Sequence, residues 1–425
     1  MLEFNTIALV LLVALLLLWN LDFFATLLNL ASLKPDLPDE FADTYDAEKY
    51  AKSQEYTRAH SRFAIISSAA SLTILLSFWF FGGFSWLDSW TRTLGWPEVS
   101  TGLLYVFALL FGNYLCNLPF TIYDTFVVEE RFGFNKTTRR TFIIDQLKSA
   151  LLLALIGLPL LSGILLIFHH VPDAWFWAWL AFSAFVLVLT YLAPSLIMPL
   201  FNKFEPMEDG ELKDAIYRMA RECAFPLTEI TVMDGSRRSA KSNAFFMGFG
   251  KNKKIALYDT LVENHTTEEL VAVLAHEIGH FKRKHIIQRI VLSIIQFGVL
   301  FYLLGHVVSP DSTFAQQLFA AFGIPSENIS PHAGLVFFGI LFSPVSRFLG
   351  VLLNAWSRKH EFEADAYAAG AQQTPEHLIT ALKKLSADNL SNLTPHRIRV
   401  ILDYSHPPVL NRIQALRKIP LESTP

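Results

Sequence analysis

Long apolar stretches constrain this sequence more than any other feature. Of its 425 residues, 52% are hydrophobic and only 17% are charged, which is too apolar for an ordinary soluble protein. A helix needs about 20 mostly apolar residues to cross a bilayer. Stretches of this kind predict seven transmembrane helices, at about residues 6–30, 63–85, 103–122, 147–168, 174–201, 286–308 and 334–354.

The distribution of cationic residues between the loops predicts the orientation of these spans. If the N-terminus lies outside, the outer segments 86–101, 169–173 and 309–332 contain a single Lys or Arg, Arg92. Because short cytoplasmic loops carry the excess of Lys and Arg, the polar stretch 202–285 and the C-terminal tail are expected in the cytoplasm. The chain is then a multi-pass protein of the inner membrane if its source is bacterial, or of the endoplasmic reticulum membrane if it is eukaryotic.

Charge also bears on the partners of the chain. The formal net charge is −3, and no basic arm or platform of aromatic and basic residues is present. These features give no reason to expect a nucleic-acid partner. The lipid bilayer is the partner that the composition predicts.

The cytoplasmic stretch contains the motif His276-Glu277-Ile-Gly-His280 within a helix that has an apolar stripe. Thr266 followed by Glu269 predicts a capping box at the start of this helix. His276 and His280 are four residues apart, so their imidazoles leave the same face and can share one Zn²⁺. Glu277 is offset by about a third of a turn, where it can take a proton from a water molecule that the metal activates.

The surroundings of the motif predict further structure. No Gly or Pro lies between Gly279 and Gly298, so the motif helix is expected to run straight into the sixth span. Residues 239–249 and 254–259 are expected to form two strands around the turn Gly250–Lys253. His285, which follows the motif, is assigned to packing.

The third zinc ligand is expected from the segment that follows the seventh span. Glu361 and Asp365 share a helical face at i and i+4, whereas Glu363 points elsewhere. One of the pair can bind the metal while the other orients a ligand imidazole, and the spacing allows either assignment. Arg347, inside the seventh span, should face the bundle interior. An internal salt bridge and a contact with substrate explain that arginine equally well.

Taken together, the motifs resemble the integral-membrane CaaX prenyl protease family, the type I CaaX endopeptidases. The resemblance is carried by His-Glu-Ile-Gly-His and by the later run Ser-Arg-Lys-His-Glu-Phe-Glu-Ala-Asp. It extends over most of the chain through Phe126–Asn135, Pro199–Phe204, Ser239–Ala244, and Tyr404–Pro408 with Arg412. We interpret the sequence as a bacterial member of this family.

The resemblance implies a role for each matching residue. It implies that the zinc ligands are His276, His280 and Glu361, that Glu277 is the general base, and that Asp365 lies behind the ligands. His406 and Arg412 would contact the substrate or stabilise the oxyanion, and the strand at Asn243 and Ala244 would pair with the substrate backbone. The family fold is similar to a ring of seven long helices around a water-filled chamber, capped by the protease domain.

The expected fold is an all-α membrane protein with seven transmembrane helices and a small α+β zinc protease domain of the gluzincin type at the cytoplasmic face. Spans one to five would occupy residues 1–201, the protease domain with its H-E-x-x-H helix 202–285, and spans six and seven 286–356. Residues 357–425 would form a cytoplasmic tail that completes the zinc site. One Zn²⁺ is expected per chain.

The expected function is hydrolysis of peptide bonds by zinc-activated water. The resemblance implies removal of the C-terminal tripeptide of prenylated CaaX proteins, and membrane-protein quality control is the alternative for a bacterial source. A zinc transporter or sensor is a rival of another class, but it has no need for Glu277 in the position of the base. A di-iron membrane hydroxylase would need a larger histidine cluster, whereas the 13 histidines here are mostly dispersed.

Overall fold

The computed structural model describes residues 4–247 and 253–420. Within these ranges seven helices are long and apolar enough to cross a membrane, which confirms the predicted number of spans. In chain order the spans are Thr6–Ala31, Ala47–Phe80, Glu98–Phe132, Arg139–His170, Ala174–Phe201, His285–Val307 and Pro331–Gln372. Several of them exceed the predicted stretch, because hydropathy marks only the part within lipid and polar helix formers continue beyond it.

Each span contacts the next along the chain, and the seventh contacts the first, so the spans close into a ring. Three spans contain a π-helical turn, at Asp124–Glu129, Leu153–Gly157 and Ala193–Ile197. Pro194 lies in the last of these turns. Proline has no backbone N–H, so it interrupts the regular α-helical hydrogen bonds near the end of the fifth span.

At the end of the ring remote from the motif helix, short helices Gly83–Thr93 and Thr313–Ala321 pack between the spans. Their core is aromatic, and Trp79 Nε1 donates a hydrogen bond of 2.7 Å to the carbonyl of Ala321. Arg92, the cation of the predicted outer segments, forms an ion pair of 2.9 Å with the buried Asp88. The other short helical turns of the described chain are Asp39–Phe41, Gly235–Arg237 and Ser326–Asn328.

The polar stretch after the fifth span forms a four-stranded sheet with the order β1-β2-β4-β3. The strands are β1 Phe204–Pro206, β2 Leu227–Met233, β3 Ala244–Met247 and β4 Lys253–Tyr258. Strands β2 and β4 are parallel, and the other pairs are antiparallel. Because β3 stands last in this order and pairs only with β4, it is an edge strand among the described residues.

The sequence predicted two of these four strands. Strands β3 and β4 fall within or beside the predicted ranges, whereas β1 and β2 were not predicted. Strand β1 has three residues and ends in a proline, which is too short for an alternating pattern. The turn predicted at Gly250–Lys253 falls mostly on residues 248–252, outside the described ranges.

Helices from two distant parts of the chain pack with this sheet around one hydrophobic core. The core joins Ile216, Ile255 and Leu274 to Leu378 and Ile413 from the C-terminal tail. The tail therefore contributes to the same folded unit as the motif helix. The helices of this unit are Glu211–Glu222, Asp259–Asn264, Thr267–Lys282, Glu376–Asp388, Arg397–Asp403 and Val409–Leu416.

The motif helix does not continue into the sixth span, so that prediction was wrong. Helix Thr267–Lys282 ends before the sixth span begins at His285, and Lys284 between them has a left-handed backbone with φ 59°. Such a conformation costs a non-glycine residue roughly 1–2 kcal/mol, and no Gly or Pro marks it in the sequence. A contact that a straight helix could not make, between His280 and His285, accompanies this break.

Candidate active site

The helix Thr267–Lys282 presents the histidine motif, and its predicted capping box is confirmed. Thr266 Oγ1 accepts the N–H of Glu269 at 3.4 Å, while the Glu269 carboxylate accepts the N–H of Thr266 at 2.9 Å. These bonds satisfy backbone donors that the first turn leaves without partners. The start of the helix, and so the phase of its histidines, is set locally.

A glycine brings the motif helix close to the extension of the seventh span. A Cβ atom at Gly279 would lie 3.0 Å from Cα of Ala364, so a larger residue would push the two helices apart. This contact places His276 and His280 opposite Glu361. The continuous helix Pro331–Gln372 supplies that carboxylate, as the sequence predicted for a helix extending from the seventh span.

Three donor atoms converge between the two helices. His276 Nε2 and His280 Nε2 are 3.2 Å apart. The oxygens of Glu361 lie 3.5 Å from Nε2 of His276 and 3.4 Å from Nε2 of His280. Among the described residues these three side chains form the one cluster with the geometry of a metal site.

The cluster fits a tetrahedral Zn²⁺. Bonds of about 2.0–2.1 Å to zinc hold two ligand atoms about 3.3 Å apart, which matches the three separations found here. Glu361 is 2% exposed, and its Oε2 has no hydrogen-bond partner within the described residues. A buried carboxylate oxygen without a hydrogen bond is costly, and a bound cation would satisfy it.

Asp365 and Arg412 lie behind the cluster of His276, His280 and Glu361. Asp365 Oδ1 is 2.8 Å from Nδ1 of His276, and Arg412 donates to both Asp365 oxygens at 2.8 and 2.6 Å. Another Arg412 nitrogen lies 3.6 Å from Glu361. Burial alone would lower the pKa of His276, but its contacts with the carboxylates of Asp365 and Glu361 raise that pKa to about 9. A proton and a metal therefore compete for this imidazole.

Glu277 faces a cavity of about 220 Å³ together with the ligand side chains. Its carboxylate makes no hydrogen bond within the described part of the chain. Burial raises the pKa of Glu277, and the neighbouring His276 and His280 act in the opposite direction. This carboxylate is thus free to exchange a proton with a molecule in the cavity.

His406 lines the same cavity from the C-terminal tail. Its Nε2 lies 3.3 Å from Glu361 Oε1. The segment that leads to His406 is bound to the seventh span, because Asn354 and Arg358 donate hydrogen bonds to the carbonyls of Leu402 and Tyr404. Arg347 also contacts this segment through an ion pair of 2.8 Å with Asp403, and it forms another with Asp22 of the first span.

Ala244, the first residue of the edge strand β3, and Asn243 just before it line the other wall of the cavity. The carbonyl of Asn243 accepts the N–H of Tyr258 at 3.1 Å, so Asn243 directs its backbone toward β4. Neighbouring residues of an antiparallel pair alternate in direction. The carbonyl of Ala244 and the backbone groups of Phe246 therefore face the open edge.

The segment before β3 is bound to the loop between the third and fourth spans. The carbonyl of Phe134 accepts the N–H of Ala240 at 3.0 Å. Lys241 Nζ lies 3.0 Å from Glu129 and 2.8 Å from the hydroxyl of Tyr56, which in turn donates to Glu129 at 2.6 Å. The membrane helices thus determine where the edge strand begins.

Two contacts at the site were not anticipated from the sequence. His285 lies behind His280, with their Nδ1 atoms 2.9 Å apart, and Glu363 Oε2 lies 3.1 Å from Nε2 of His285. Glu363 indeed points away from Glu361 and Asp365, and it points toward His285. The spacing from His280 to His285 gave no signal, because five residues along a straight helix face about 140° away.

Comparison with known proteins agrees with this geometry. Residues 26–203 match the family model described as CAAX prenyl protease N-terminal, five membrane helices, and residues 206–420 match peptidase family M48. A CAAX prenyl protease 1 homolog of Oryza sativa subsp. japonica is 35% identical over 90% of this chain and 90% of its own length.

Further relatives give the same result. The CAAX prenyl protease 1 homolog of Homo sapiens is 33% identical over 90% of this chain and 88% of its own length. The crystal structure of S. mikatae Ste24p superposes with a TM-score of 0.90 at 32% identity, covering 97% of this chain and 100% of that one.

Proposed function

Since this chain belongs to peptidase family M48, as an integral-membrane zinc metalloprotease of the CAAX prenyl protease type, we propose that it removes the C-terminal tripeptide of prenylated CaaX proteins. The names of its relatives and the open edge strand beside the cavity support this substrate class.

The observation that carries the proposal is the convergence of His276 Nε2, His280 Nε2 and the two carboxylate oxygens of Glu361 at separations of 3.2 to 3.5 Å. We propose that these three residues bind one Zn²⁺ per chain. When bound, the metal would activate a water molecule and polarise the scissile carbonyl. Asp365 would orient His276 for this purpose.

Glu277 is proposed as the general base. Its carboxylate would accept the proton of the attacking water and then deliver it to the nitrogen of the leaving peptide. The lack of a hydrogen bond to any described residue and the raised pKa both suit a group that gains and loses a proton during turnover. His406 and Arg412 would stabilise the negative charge that develops on the carbonyl oxygen.

The edge strand would bind the substrate backbone. The outward groups of Ala244 and Phe246 offer hydrogen bonds to an extended peptide, which would add as a strand beside β3. Such binding recognises the peptide backbone, and the walls of the cavity would then determine which substrate side chains are preferred. Asn243 and Ala244 thus contribute to affinity for the peptide.

We further propose that the active site faces the cytoplasm. The outer segments carry Arg92 as their single cation, whereas Lys282, Arg283 and Lys284 lie at the end of the motif helix. The positive-inside rule then assigns the protease domain to the cytoplasmic side. The membrane would be the inner membrane of a bacterium, the source we infer, or the endoplasmic reticulum of a eukaryote.

The test uses the purified full-length protein and a pair of peptides with the same CaaX sequence, one prenylated and one not. We expect release of the tripeptide from the prenylated peptide, measured by mass spectrometry, and its loss with a zinc chelator. Glu277→Gln is the matched inactive control. Cleavage of both peptides at the same rate would argue against prenyl specificity, and cleavage unaffected by the chelator would argue against a zinc mechanism.

A further inference from the structure

We propose that His285 and Glu363 are positioning residues that orient the zinc ligand His280. This inference rests on the proposed zinc site and extends it to two residues that touch neither the metal position nor the cavity. Zinc-binding histidines commonly donate their second ring N–H to a carboxylate or a carbonyl. Here His276 has Asp365 in that place, whereas the ring nitrogen of His280 meets another histidine.

The direction of the hydrogen bonds follows from the chemistry of the three groups. An ionised Glu363 can only accept, so Nε2 of His285 must carry the proton in the contact of 3.1 Å. The other nitrogen of a neutral His285, Nδ1, is then an acceptor. It accepts the N–H from Nδ1 of His280 at 2.9 Å, which leaves Nε2 of His280 with a lone pair directed at the metal position.

Packing holds His285 in this orientation. The residue is 1% exposed, and its ring stacks on that of His360 at 3.8 Å between centroids and 5° between planes. The stacking fixes the plane of the ring, while Glu363 decides which nitrogen carries the proton. The unprotonated Nδ1 therefore faces His280 rather than another side of the pocket.

The break between the motif helix and the sixth span makes this arrangement possible. In an uninterrupted helix His285 would face about 140° away from His280. The left-handed backbone at Lys284 turns the chain so that the first residue of the sixth span faces back toward the site. A conformation that is unfavourable for lysine is thus retained where it serves the orientation of a ligand.

The test measures zinc affinity in the full-length protein by competition with a chromophoric chelator, independently of activity. His285→Leu removes the acceptor, and His285→Asn keeps an oxygen in the place of Nδ1. We expect His285→Leu to weaken zinc binding by ~10 to 100-fold. His285→Asn should recover most of that loss. Equal affinities in His285→Leu and the wild type would overturn the proposal, as would equal losses in both variants.

Glu363→Leu provides an independent variant, because Glu363 is partly exposed and its loss leaves the core intact. Glu363→Leu should also weaken zinc binding, but by less than His285→Leu. In this variant the His285 side chain remains and loses only the group that fixes its tautomer. Lys359→Ala is the matched control, because Lys359 contacts the same carboxylate from solvent at 3.8 Å. Unchanged affinity in Glu363→Leu would overturn its proposed role.

The design separates this inference from the proposed function. If the wild type binds one zinc and cleaves peptide while His285→Leu behaves in the same way, the orientation of His280 does not depend on His285 and this inference alone fails. If the wild type binds no zinc, both proposals fail together.

Discussion

Oδ1 of Asp365 lies 2.8 Å from Nδ1 of His276, on the opposite side of the imidazole from Nε2, which is 3.5 Å from Glu361. The two carboxylates are four residues apart on one helix and contact different nitrogens of the same ring. Nε2, the nitrogen that does not contact Asp365, is thus turned toward Glu361 and His280. Arg412 neutralises Asp365 from behind with two hydrogen bonds.

This relationship predicts different effects of the two carboxylates on metal content. Glu361→Ala removes a direct ligand and should lose most zinc and all activity. Asp365→Ala removes only the group that orients His276, so zinc affinity should fall by ~10 to 100-fold and some activity should persist at high zinc. Metal analysis of the purified variants measures both effects. Full zinc in Glu361→Ala would show that Glu361 is not a ligand.

Glu277→Gln should separate metal binding from catalysis. The amide has nearly the shape of the carboxylate but cannot accept a proton, so zinc content should stay at the wild-type level. Peptide cleavage should fall by at least ~10²-fold, the scale of general-base catalysis. Initial rates at saturating peptide, alongside zinc analysis of the same sample, provide the measurement. Wild-type turnover in this variant would contradict the assignment of the base.

The sequence was sufficient for the spans and for most of the metal cluster, because hydropathy and the i, i+4 spacing of histidines are local signals. Choosing Glu361 over Asp365 needed the family resemblance, since spacing alone allowed either. The contact of His285 with His280 could not be predicted. It depends on a left-handed residue at Lys284, a position where the sequence has neither glycine nor asparagine to indicate one.

For the strands too, the sequence predicts some features and leaves others undetermined. Strand β4 follows from its apolar residues, and the position of β3 at the sheet edge depends on pairing that no local pattern encodes. The link from Glu129 to Lys241 joins residues more than a hundred positions apart in sequence. Long-range contacts of this kind decide where the edge strand lies, and only the tertiary structure reveals them.

His265 should make the stability of the protease domain depend on pH. Burial lowers its pKa from the ordinary value of 6.5, with Glu269 acting in the opposite direction, and its Nε2 has no hydrogen-bond partner in the described ranges. The unfolded chain takes up a proton below about pH 6.5 while the folded histidine resists it, so stability falls as pH decreases through that value.

The comparison of wild type with His265→Gln isolates this effect from other titrating groups. As the pH decreases from 7 to 5, the melting temperature of the wild type should fall by more than that of His265→Gln. Thermal unfolding in detergent at a series of pH values measures it. A difference that does not change with pH would contradict the prediction.

The orientation of the chain can be tested with protease-cleavable tags. A tag placed after the last residue should be cut only from the cytoplasmic side, and one inserted near Asp311 only from the other side, because the outer segments carry the single cation Arg92. Protease added to intact cells reaches the outer side of the membrane, and protease added to inverted vesicles reaches the cytoplasmic side. The reverse pattern would place the active site outside the cytoplasm.

Lys241 should affect substrate binding without affecting the metal. Its ammonium joins Glu129 and Tyr56 at 3.0 and 2.8 Å, two residues before Asn243 lines the cavity. Lys241→Met keeps the aliphatic stem but loses these bonds. Hydrogen bonds to charged groups contribute roughly 1.5–3 kcal/mol, and the 38% exposure of Lys241 reduces this to about 1 kcal/mol.

If the start of β3 then moves, the KM for peptide should rise by roughly 5-fold to 10-fold, since about 1.4 kcal/mol corresponds to a tenfold change in affinity. The zinc content and kcat should change little, because neither ligand helix contacts Lys241. Lys254→Met is the matched control: this lysine lies on the same sheet, pairs with Glu229 and does not line the cavity. An unchanged KM in Lys241→Met, or an equal rise in both variants, would show that the contacts of Lys241 with the second and third spans do not position the edge strand.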